Sequence, residues 1–275
     1  MTINCNENLI DLNTPKVMGI LNVTPDSFFD GGAYNGIKNS ISQVKKMLDE
    51  GATFIDVGAY SSRPGAKEVT QEEELQRILP VIKAITKEFP DCIISIDTFR
   101  SSIAKACVQE GAAMVNDISG GQLDTNMFAT VAQLKVPYIL MHMRGTPQNM
   151  QQNTVYDDVT LDIIYYFSEQ IYNARLAGIN DIIIDPGFGF SKTVAQNFEL
   201  LNQLELLQNI EVPILTGLSR KSMIYKTLET DAKKALNGTT ALNMVCLEKG
   251  ANILRVHDVK EAMECVQLYN ALKSS

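Results

Sequence analysis

The stretch IISIDTFRSSIAKACVQEGAAMVNDISGG, residues 93–121, contains one full repeat of the pattern that decides the fold. It opens with a short apolar run rich in isoleucine, which is typical of a buried strand. A helical pattern follows over residues 101–110, and Gly111 supplies the left-handed residue that commonly ends a helix. A second apolar run begins at Met114. Strand, helix and strand in this order predict an α/β protein with a parallel sheet.

The same alternation continues along the chain in both directions. Short apolar runs that end in polar residues predict strands at residues 17–24, 54–59, 93–98, 114–120, 137–142, 181–187, 213–219 and 253–258. Amphipathic stretches between them predict helices at residues 37–50, 75–85, 101–110, 124–135, 157–177, 193–209, 233–249 and 259–272. Thr70 and Glu73 have the spacing of a capping box in front of the second of these helices.

Eight strands alternating with eight helices over 275 residues predict an α/β fold, a single (β/α)8 TIM barrel. No linker divides the chain, so residues 1–275 are expected to form one domain. Residues 1–16 form a short N-terminal extension, for which a hairpin covering the bottom of the barrel is a candidate structure. A doubly wound sheet is the alternative, because a local pattern does not show whether a sheet closes.

The composition argues against several classes of protein. Hydrophobic residues make up 45% and charged residues 20% of the chain, which is ordinary for a globular protein and unlike a disordered one. The formal net charge of -8 argues against non-specific binding to nucleic acid or to an anionic membrane. No apolar run reaches the about 20 residues of a membrane span, and residues 1–15 have no signal-peptide core.

Cysteine and histidine usage bears on metal sites and on the compartment. The five cysteines are scattered, without a Cys-x-x-Cys pair, so neither a disulfide framework nor a zinc site is expected. Only two histidines are present, His142 and His257, which excludes most histidine-rich metal sites. A chain of this kind fits a reducing compartment, and we predict a cytoplasmic location.

Distinctive polar residues stand where seven of the eight predicted strands end. They are Asn22, Asp97, Asn116, Asp117, His142, Asp185, Ser219, Arg255 and His257. The second strand instead opens into the polar loop of residues 60–65. In a barrel the carboxyl ends of all strands surround one mouth, where active sites lie. A single Asn or Asp is as readily a structural group, but structural polar groups have no reason to gather at one end of every strand.

The polar residues at this mouth form two chemical sets. The hydrogen-bond acceptors, suited to a flat ligand with adjacent N–H groups, are Asp97, Asn116 and Asp185. The cationic residues, suited to phosphate or carboxylate, are Arg63, Lys221, Arg255 and His257. For Arg63 and Lys221 the alternative is an ordinary solvated loop charge.

Eight short motifs, in order along the chain, make the sequence resemble the dihydropteroate synthase family. They are GILNVTPDSF (19–28), SSRPGA (61–66), SIDT (95–98), NDISGG (116–121), MHM (141–143), DPGFGF (185–190), GLSRKS (217–222) and RVHD (255–258). The resemblance implies a folate-pathway transferase that joins p-aminobenzoate to 6-hydroxymethyl-7,8-dihydropterin pyrophosphate, giving 7,8-dihydropteroate and pyrophosphate. It also implies Mg2+ as a cofactor and a homodimer as the assembly.

The resemblance assigns roles to residues at matching positions. The pterin would be bound by Asp97, Asn116, Ile118, Met141, Asp185, Lys221 and Arg255. The pyrophosphate would face Asn22, Arg63, Arg255 and His257, and Asn22 would also help to bind magnesium. The p-aminobenzoate pocket would consist of Phe28, Ser62, Arg63, Pro64, Phe190, Lys221 and Ser222. The residues implied to act in catalysis are Arg63, Lys221, Arg255 and His257.

The mechanism implied by the resemblance is dissociative. Pyrophosphate leaves first, and the aniline nitrogen then attacks the resonance-stabilised pterin cation. Such chemistry needs no nucleophilic side chain, and none stands out in the sequence. Catalysis would rest on positioning and on charge stabilisation of the leaving group, with magnesium as a Lewis acid.

The second motif departs from the family pattern. Where the family has Gly-Gly-Glu-Ser-Thr-Arg-Pro, residues 58–64 read Gly-Ala-Tyr-Ser-Ser-Arg-Pro. Ser62 keeps a hydroxyl group, which is a mild change. Tyr60 in place of glutamate is a larger change, and it puts the dynamics of this loop and its response to inhibitors in question.

Two other functions remain open on the sequence alone. A pterin-dependent methyltransferase of the same barrel superfamily would share the acceptor set, but it would not need Arg63, Lys221 and His257. An inactive paralogue that only binds pterin should have lost one or more pyrophosphate or loop residues. This sequence keeps them, which favours the synthase.

Overall fold

The computed structural model describes residues 1–23, 33–60 and 69–274, with the backbone alone for residues 33–35. The strands of these ranges are β1 (Thr2–Cys5), β2 (Asn8–Asp11), β3 (Lys16–Asn22), β4 (Phe54–Gly58), β5 (Ile93–Asp97), β6 (Met114–Asp117), β7 (Tyr138–Met141), β8 (Ile182–Asp185), β9 (Leu215–Thr216) and β10 (Ile253–Val256). The α-helices are α1 (Ala33–Asp49), α2 (Gln71–Glu88), α3 (Ser101–Gln109), α4 (Met127–Leu134), α5 (Val159–Ala177), α6 (Val194–Asn202), α7 (Ser222–Thr227), α8 (Leu236–Glu248) and α9 (Val259–Lys273). None of these helices is long and apolar enough to cross a membrane.

Strands β3 to β10 form one parallel sheet in the order β8-β7-β6-β5-β4-β3-β10-β9. The two outer strands of this order meet through a parallel bridge between Ile184 and Ile214. There the N–H of Ile184 donates to the carbonyl of Pro213 at 2.9 Å. Because this contact joins the two edges of the sheet, the predicted TIM barrel is confirmed and the doubly wound alternative is excluded.

The N-terminal segment covers the bottom of the barrel. Strands β1 and β2 pair antiparallel, with Ile3 opposite Ile10, which confirms the hairpin suggested by the sequence. Ile3, Cys5 and Leu12 are buried. They pack in one apolar cluster with residues of the barrel strands, namely Met18, Phe54, Met114, Ile139, Ile183, Leu215 and Ile253. The hairpin therefore keeps water from the apolar end of the barrel interior.

The start of α2 and the end of α5 have the capping structures that their sequences predict. At the start of α2 the hydroxyl of Thr70 accepts from the N–H of Glu73, and the Glu73 carboxylate accepts from the N–H of Thr70, both at 3.2 Å. This reciprocal pair is the predicted capping box. At the other end of a helix, Gly178 follows α5 with a φ of 100°, a left-handed conformation that glycine adopts without a steric penalty.

Several helical segments differ from the predictions; among them, α8 begins at Leu236 and not at residue 233, after the 3-10 segment Ala232–Lys234. The predicted helix at 193–209 is divided, because α6 ends at Asn202 and a 3-10 segment, Leu204–Ile210, replaces its second half. The helix predicted from residue 124 begins at Met127, since the Asp124 carboxylate accepts from the backbone N–H groups of Ser101 and Asn126. The short helix α7, just after β9, was not predicted at all.

Candidate active site

The inward-facing side of most barrel strands changes from apolar to polar within two residues. Side chains alternate across a strand, so every second residue points to the same face. The successive inward positions are Phe54 and Asp56, Ile93 and Ser95, Met114 and Asn116, Ile139 and Met141, Ile183 and Asp185, Leu215 and Gly217, and Ile253 and Arg255. A mostly polar layer therefore lies directly above the apolar layer that the hairpin covers, at the carboxyl ends of the strands.

Arg255 occupies the centre of the polar layer. Its Nε lies 2.6 Å from Oδ2 of Asp56, and its Nη2 lies 2.6 Å from Oδ2 of Asp97. The side chain of Arg255 is only 18% exposed, so both pairs are largely shielded from water. The acceptor set and the cationic set predicted from the sequence therefore meet at Arg255, and they are not separate halves of the mouth.

Asp56 belongs to this site, although the sequence analysis did not select it. It is fully buried in the middle of β4, and its Oδ2 also accepts from Nδ2 of Asn116 at 3.0 Å. That bond turns the amide of Asn116 so that its carbonyl oxygen is left to accept from a ligand. The other oxygen of Asp56, Oδ1, is buried without a hydrogen-bond partner in the described residues.

The alternation along β4 was the signal that could have identified Asp56. The residue lies two positions after the inward Phe54 and two before Gly58, so it faces the barrel interior. A buried carboxylate is retained only when it is paired, and here its partners are Arg255 and Asn116.

Asp97 and Asp185 are acceptors with altered acidity. Burial raises the pKa of the Asp97 carboxyl to about 7, although the charge of Arg255 opposes this shift. Burial also raises the pKa of Asp185, against the lowering effects of Lys221 and of the Gly187 N–H. That N–H donates to Oδ1 of Asp185 at 2.8 Å. The two carboxylates can accept N–H donors from a bound ring, and Asp97 changes protonation near neutral pH.

Lys221 points into the mouth and is not an ordinary solvated charge. Its ammonium donates to the carbonyl of Phe188 at 2.5 Å and lies 4.7 Å from the ring centroid of Phe190. Burial lowers the pKa of Lys221 to about 8, while the negative charge of Asp185 opposes this shift. The group is therefore a cation that loses its charge only slightly above neutral pH.

Arg220 ties the loop of Lys221 to the end of β10. Its Nε and Nη2 donate to the two carboxylate oxygens of Asp258, each at 2.7 Å, which is the fork geometry of a strong Arg–carboxylate pair. Close by, Oγ of Ser219 lies 3.1 Å from Nδ1 of His257 and accepts from the His257 backbone N–H at 3.3 Å. These bonds hold Lys221 and the exposed His257 on neighbouring loops.

An apolar cluster lines one side of the polar layer. Ile118, Met141, Met143 and Met150 are buried together, and the rings of Phe99 and Phe190 pack against them. Of the residues predicted to contact a pterin or p-aminobenzoate, Ile118, Met141 and Phe190 lie in this cluster. A surface of methionine and phenylalanine next to fixed polar groups suits a flat ring.

The remaining predicted site residues lie at the rim or outside the described ranges. Asn22 ends β3 with an exposed side chain, and Ser222 begins α7 directly after Lys221. Phe28, Ser62, Arg63 and Pro64 fall outside the described residues. In the described ranges, no three His, Cys, Asp or Glu side chains are grouped as a metal cluster.

Tyr60, the departure from the family motif, has partners on two other loops. Its hydroxyl accepts from Nε2 of Gln148 at 2.7 Å, and its ring meets that of Phe99 edge-on at 5.0 Å. The guanidinium of Arg100 lies 5.6 Å from the centroid of the Tyr60 ring. Tyr60 therefore connects the end of β4 to the segments that follow β5 and β7.

Comparisons with known proteins point to one family. The sequence model of the family described as Pterin binding enzyme matches residues 18–257. The dihydropteroate synthase of Escherichia coli is 42% identical over 268 residues, which are 97% of this chain and 94% of that protein.

Solved structures agree with the sequence relatives. The Yersinia pestis dihydropteroate synthase, solved with a sulfonamide drug complex, superposes with a TM-score of 0.94 at 41% identity and 100% coverage of both chains. The Xanthomonas albilineans dihydropteroate synthase with 4-aminobenzoic acid gives a TM-score of 0.93 at 36% identity, covering 100% of this chain and 98% of that one.

Proposed function

The chain belongs to the dihydropteroate synthase family, and from this we infer that it is a transferase of folate biosynthesis that joins p-aminobenzoate to 6-hydroxymethyl-7,8-dihydropterin pyrophosphate. The products are 7,8-dihydropteroate and pyrophosphate. The observation that carries this function is the layer of buried acceptors around Arg255 beside an apolar ring-binding surface, with Lys221 next to it. This combination suits a planar ring with N–H donors that carries an anionic leaving group.

We propose that the acceptors bind the polar edge of the pterin. Asp97, Asn116 and Asp185 present carboxylate and amide oxygens, and a planar row of N–H groups is complementary to them. Asp56 fixes the orientation of the Asn116 amide and shares Arg255 with Asp97. Ile118 and Met141 cover a face of the ring, and Arg255 lies against it.

The reaction needs no covalent intermediate with the protein. The carbon–oxygen bond between the pterin methylene and pyrophosphate breaks, and the electron pair leaves with pyrophosphate. The aniline nitrogen then forms the new carbon–nitrogen bond and loses one proton. We propose that Lys221 and His257, with Arg63 and Arg255, stabilise the charge of the leaving group and position the acceptor. Phe28, Ser62, Pro64, Phe190 and Ser222 would shape the p-aminobenzoate pocket.

A magnesium ion fits the oxygen ligands available at the rim. Mg2+ prefers oxygen ligands and is usually held by one or two protein oxygens together with phosphate oxygens and water. The exposed amide of Asn22 at the end of β3 is such a ligand, and the pyrophosphate would provide others. When bound, the ion would act as a Lewis acid on the departing pyrophosphate.

Product analysis tests the proposed reaction against its two rivals. The protein is incubated with dihydropterin pyrophosphate, p-aminobenzoate and Mg2+, and the products are identified by mass spectrometry. We expect 7,8-dihydropteroate and an equal amount of pyrophosphate. Pterin binding without turnover would identify an inactive paralogue, and methyl transfer from methyltetrahydrofolate would identify a methyltransferase.

The proposed magnesium role predicts a linked stabilisation. Pyrophosphate should raise the melting temperature, and Mg2+ should increase that rise, because a ligand that binds only the folded state stabilises it. Asn22→Ala should remove the magnesium-dependent part of the rise. Asn202→Ala is the control, since Asn202 is an exposed asparagine at the end of α6, away from the mouth. If Mg2+ has no effect on the parent protein, the metal role is wrong.

Two predictions concern the protein as a whole. We propose that it acts in the cytoplasm, because its free and scattered cysteines suit a reducing compartment.

We also propose a homodimer, as the family resemblance implies. Light scattering coupled to size-exclusion chromatography should give twice the chain mass, and a single chain mass would contradict the dimer.

A further inference from the structure

A buried lysine beneath the active-site loop takes no part in the function described above. Lys192 is only 3% exposed, yet none of the ion pairs formed by the described residues includes it. Burial lowers the pKa of Lys192 well below its usual value, and the negative charge of Asp185 opposes this shift. A buried lysine without a direct ion pair is costly, so its retention needs a reason. The other lysine near the site, Lys221, already has a role in the mouth.

The ammonium of Lys192 has three acceptors at hydrogen-bond distance. Its Nζ lies 3.0 Å from the Gly187 carbonyl, 3.1 Å from the Phe190 carbonyl and 3.0 Å from Nδ1 of His142. In its protonated form the amino group has three N–H groups, one for each of these atoms. Burial lowers the pKa of His142 well below its usual value, and the neutral ring can therefore accept.

The loop that Lys192 contacts cannot hold its shape through regular backbone bonding. Gly187, Gly189 and Ser191 all have positive φ, of 70°, 81° and 46°. The segment lies between β8 and α6, outside any strand or helix ladder. One backbone bond closes a turn in it, from the Phe190 N–H to the Gly187 carbonyl at 3.1 Å. Side chains hold the rest, among which Asn197 accepts from the Gly189 N–H at 2.6 Å. Lys192 binds the carbonyls of Gly187 and Phe190, which lie before and after Gly189 in the loop.

The same loop places two groups of the proposed p-aminobenzoate pocket. It carries the ring of Phe190, and the Phe188 carbonyl accepts from the ammonium of Lys221. Lys192 and Lys221 therefore bind different carbonyls of the same loop. Asp185, by contrast, is the last residue of β8, where the ladder with β7 holds its backbone. Loss of Lys192 should disturb Phe190 and Lys221 more than Asp185.

We propose that Lys192 is a positioning residue that fixes the 187–190 loop, and through it Phe190 and Lys221, for binding of p-aminobenzoate. It acts through the two loop carbonyls and His142, without contact with either substrate. The proposal rests on the proposed function for the identity of the substrate. It predicts that the defect of a Lys192 variant appears in the binding of p-aminobenzoate and not in the binding of the pterin.

The test compares Lys192→Met, which keeps the apolar stem but has no donor, with the parent enzyme. We expect the KM for p-aminobenzoate to rise about tenfold, since the Phe190 carbonyl and the His142 imidazole lose this donor and the Gly187 carbonyl keeps only the Phe190 N–H. The pterin dissociation constant, measured by calorimetry, should change less than about threefold, because Asp97, Asn116 and Asp185 stay on their strands. Lys192→Arg, which restores donors and charge, should recover part of the loss.

Two further comparisons separate positioning from general stability. Thr193→Ala removes the cap of α6 next to Lys192, so it should lower the melting temperature and leave the KM unchanged. His142→Ala should raise the KM in the same direction as Lys192→Met, and His142→Asn, which can supply an acceptor near the Nδ1 position, should raise it less. This pair keeps the test available if Lys192→Met does not fold.

The outcomes separate a failure of the proposed function from a failure of the positioning role. A parent protein that makes no dihydropteroate overturns the proposed function, whatever Lys192 does. An active parent whose KM for p-aminobenzoate is the same in Lys192→Met overturns the positioning role. Equal losses for both substrates together with a lower melting temperature overturn it as well, because they describe a merely structural lysine.

Discussion

The two ends of the barrel are built from the same eight strands and differ in what their inward side chains do. At the amino end, residues such as Phe54 and Ile183 are fully buried against the hairpin, and every neighbour in the cluster is apolar. At the carboxyl end, two positions further on, Asp56 and Asp185 are buried among charges. The difference indicates that, within the barrel interior, apolar packing lies at the amino end and ligand binding at the carboxyl end, while the larger apolar core lies between the strands and the helices.

The polar layer at the carboxyl end contains buried polar atoms that have no hydrogen-bond partner in the described residues. Oδ1 of Asp56 and Oγ of Ser95 are buried without hydrogen-bond partners in the described residues, and these two residues are opposite each other on β4 and β5. A buried polar atom without a partner typically destabilises a fold by about 1–3 kcal/mol. The amino-end cluster consists of apolar side chains, which have no nitrogen or oxygen atoms to bury. The polar layer therefore lowers the stability of the fold while it provides the groups that bind the ligand.

The largest expected effect is the loss of stability on truncating the amino end. Phe54→Ala should lower the free energy of unfolding by about 3–5 kcal/mol, because it leaves a cavity among closely packed side chains. Denaturant unfolding measures this directly. The pterin affinity of the folded fraction should be unchanged. An affinity that falls as much as the stability would show that packing at the amino end and binding at the carboxyl end are coupled.

The opposite result is expected at the carboxyl end for Asp185→Asn. The amide presents N–H donors to the N–H groups of the ligand, and a charge-assisted bond is lost, which together weaken binding by about 2–5 kcal/mol. Calorimetry should show at least a tenfold loss of pterin affinity, in line with that estimate. The melting temperature should hardly change, since burial already disfavours the charge of Asp185. Unchanged affinity would remove Asp185 from the site.

A smaller effect, specific to the carboxyl end, is the pH dependence of binding. The Asp97 carboxyl, whose pKa is about 7, must be ionised to accept two N–H donors, so pterin affinity should fall as the pH drops below about 7. The limiting slope is about tenfold per pH unit. Lys221, which is assigned to the pterin site and has a pKa of about 8, loses its charge at higher pH, so pterin affinity should fall there as well.

Calorimetry across this pH range checks both limbs of the profile. Asp97→Asn should flatten the acid limb, and Lys221→Met should flatten the alkaline limb. An acid limb that persists in Asp97→Asn would assign the titration to another group.

The sequence predicted most of the fold because its signals are local and repeated. The apolar runs, the capping box at Thr70 and the glycine after α5 each act within a few residues of their own position. The division of the 193–209 helix was not predictable in the same way, since nothing in its periodicity marks the change to a 3-10 segment. Closure of the sheet through Ile184 and Ile214 joins elements that are distant in sequence, so it also required the structure.

The site was predicted less completely than the fold. Residues at strand ends, such as Asp185 and Arg255, stand out because a polar residue interrupts an apolar run. Asp56 lies inside a strand and Lys192 inside a loop, where a charged residue is usually solvent-exposed. Their importance depends on Arg255, His142 and the loop carbonyls, which reach them only through the folded structure.

Hydrogen exchange with and without the pterin pyrophosphate tests the contrast between the two ends most directly, because it needs no substitution. We expect slower exchange on ligand binding in peptides that contain residues 93–98, 114–121, 185–192 and 217–222. Peptides that contain only the hairpin, residues 2–11, should exchange at the same rate in both samples. Protection of the hairpin with no change at the carboxyl ends of the strands would contradict the assignment of the binding site.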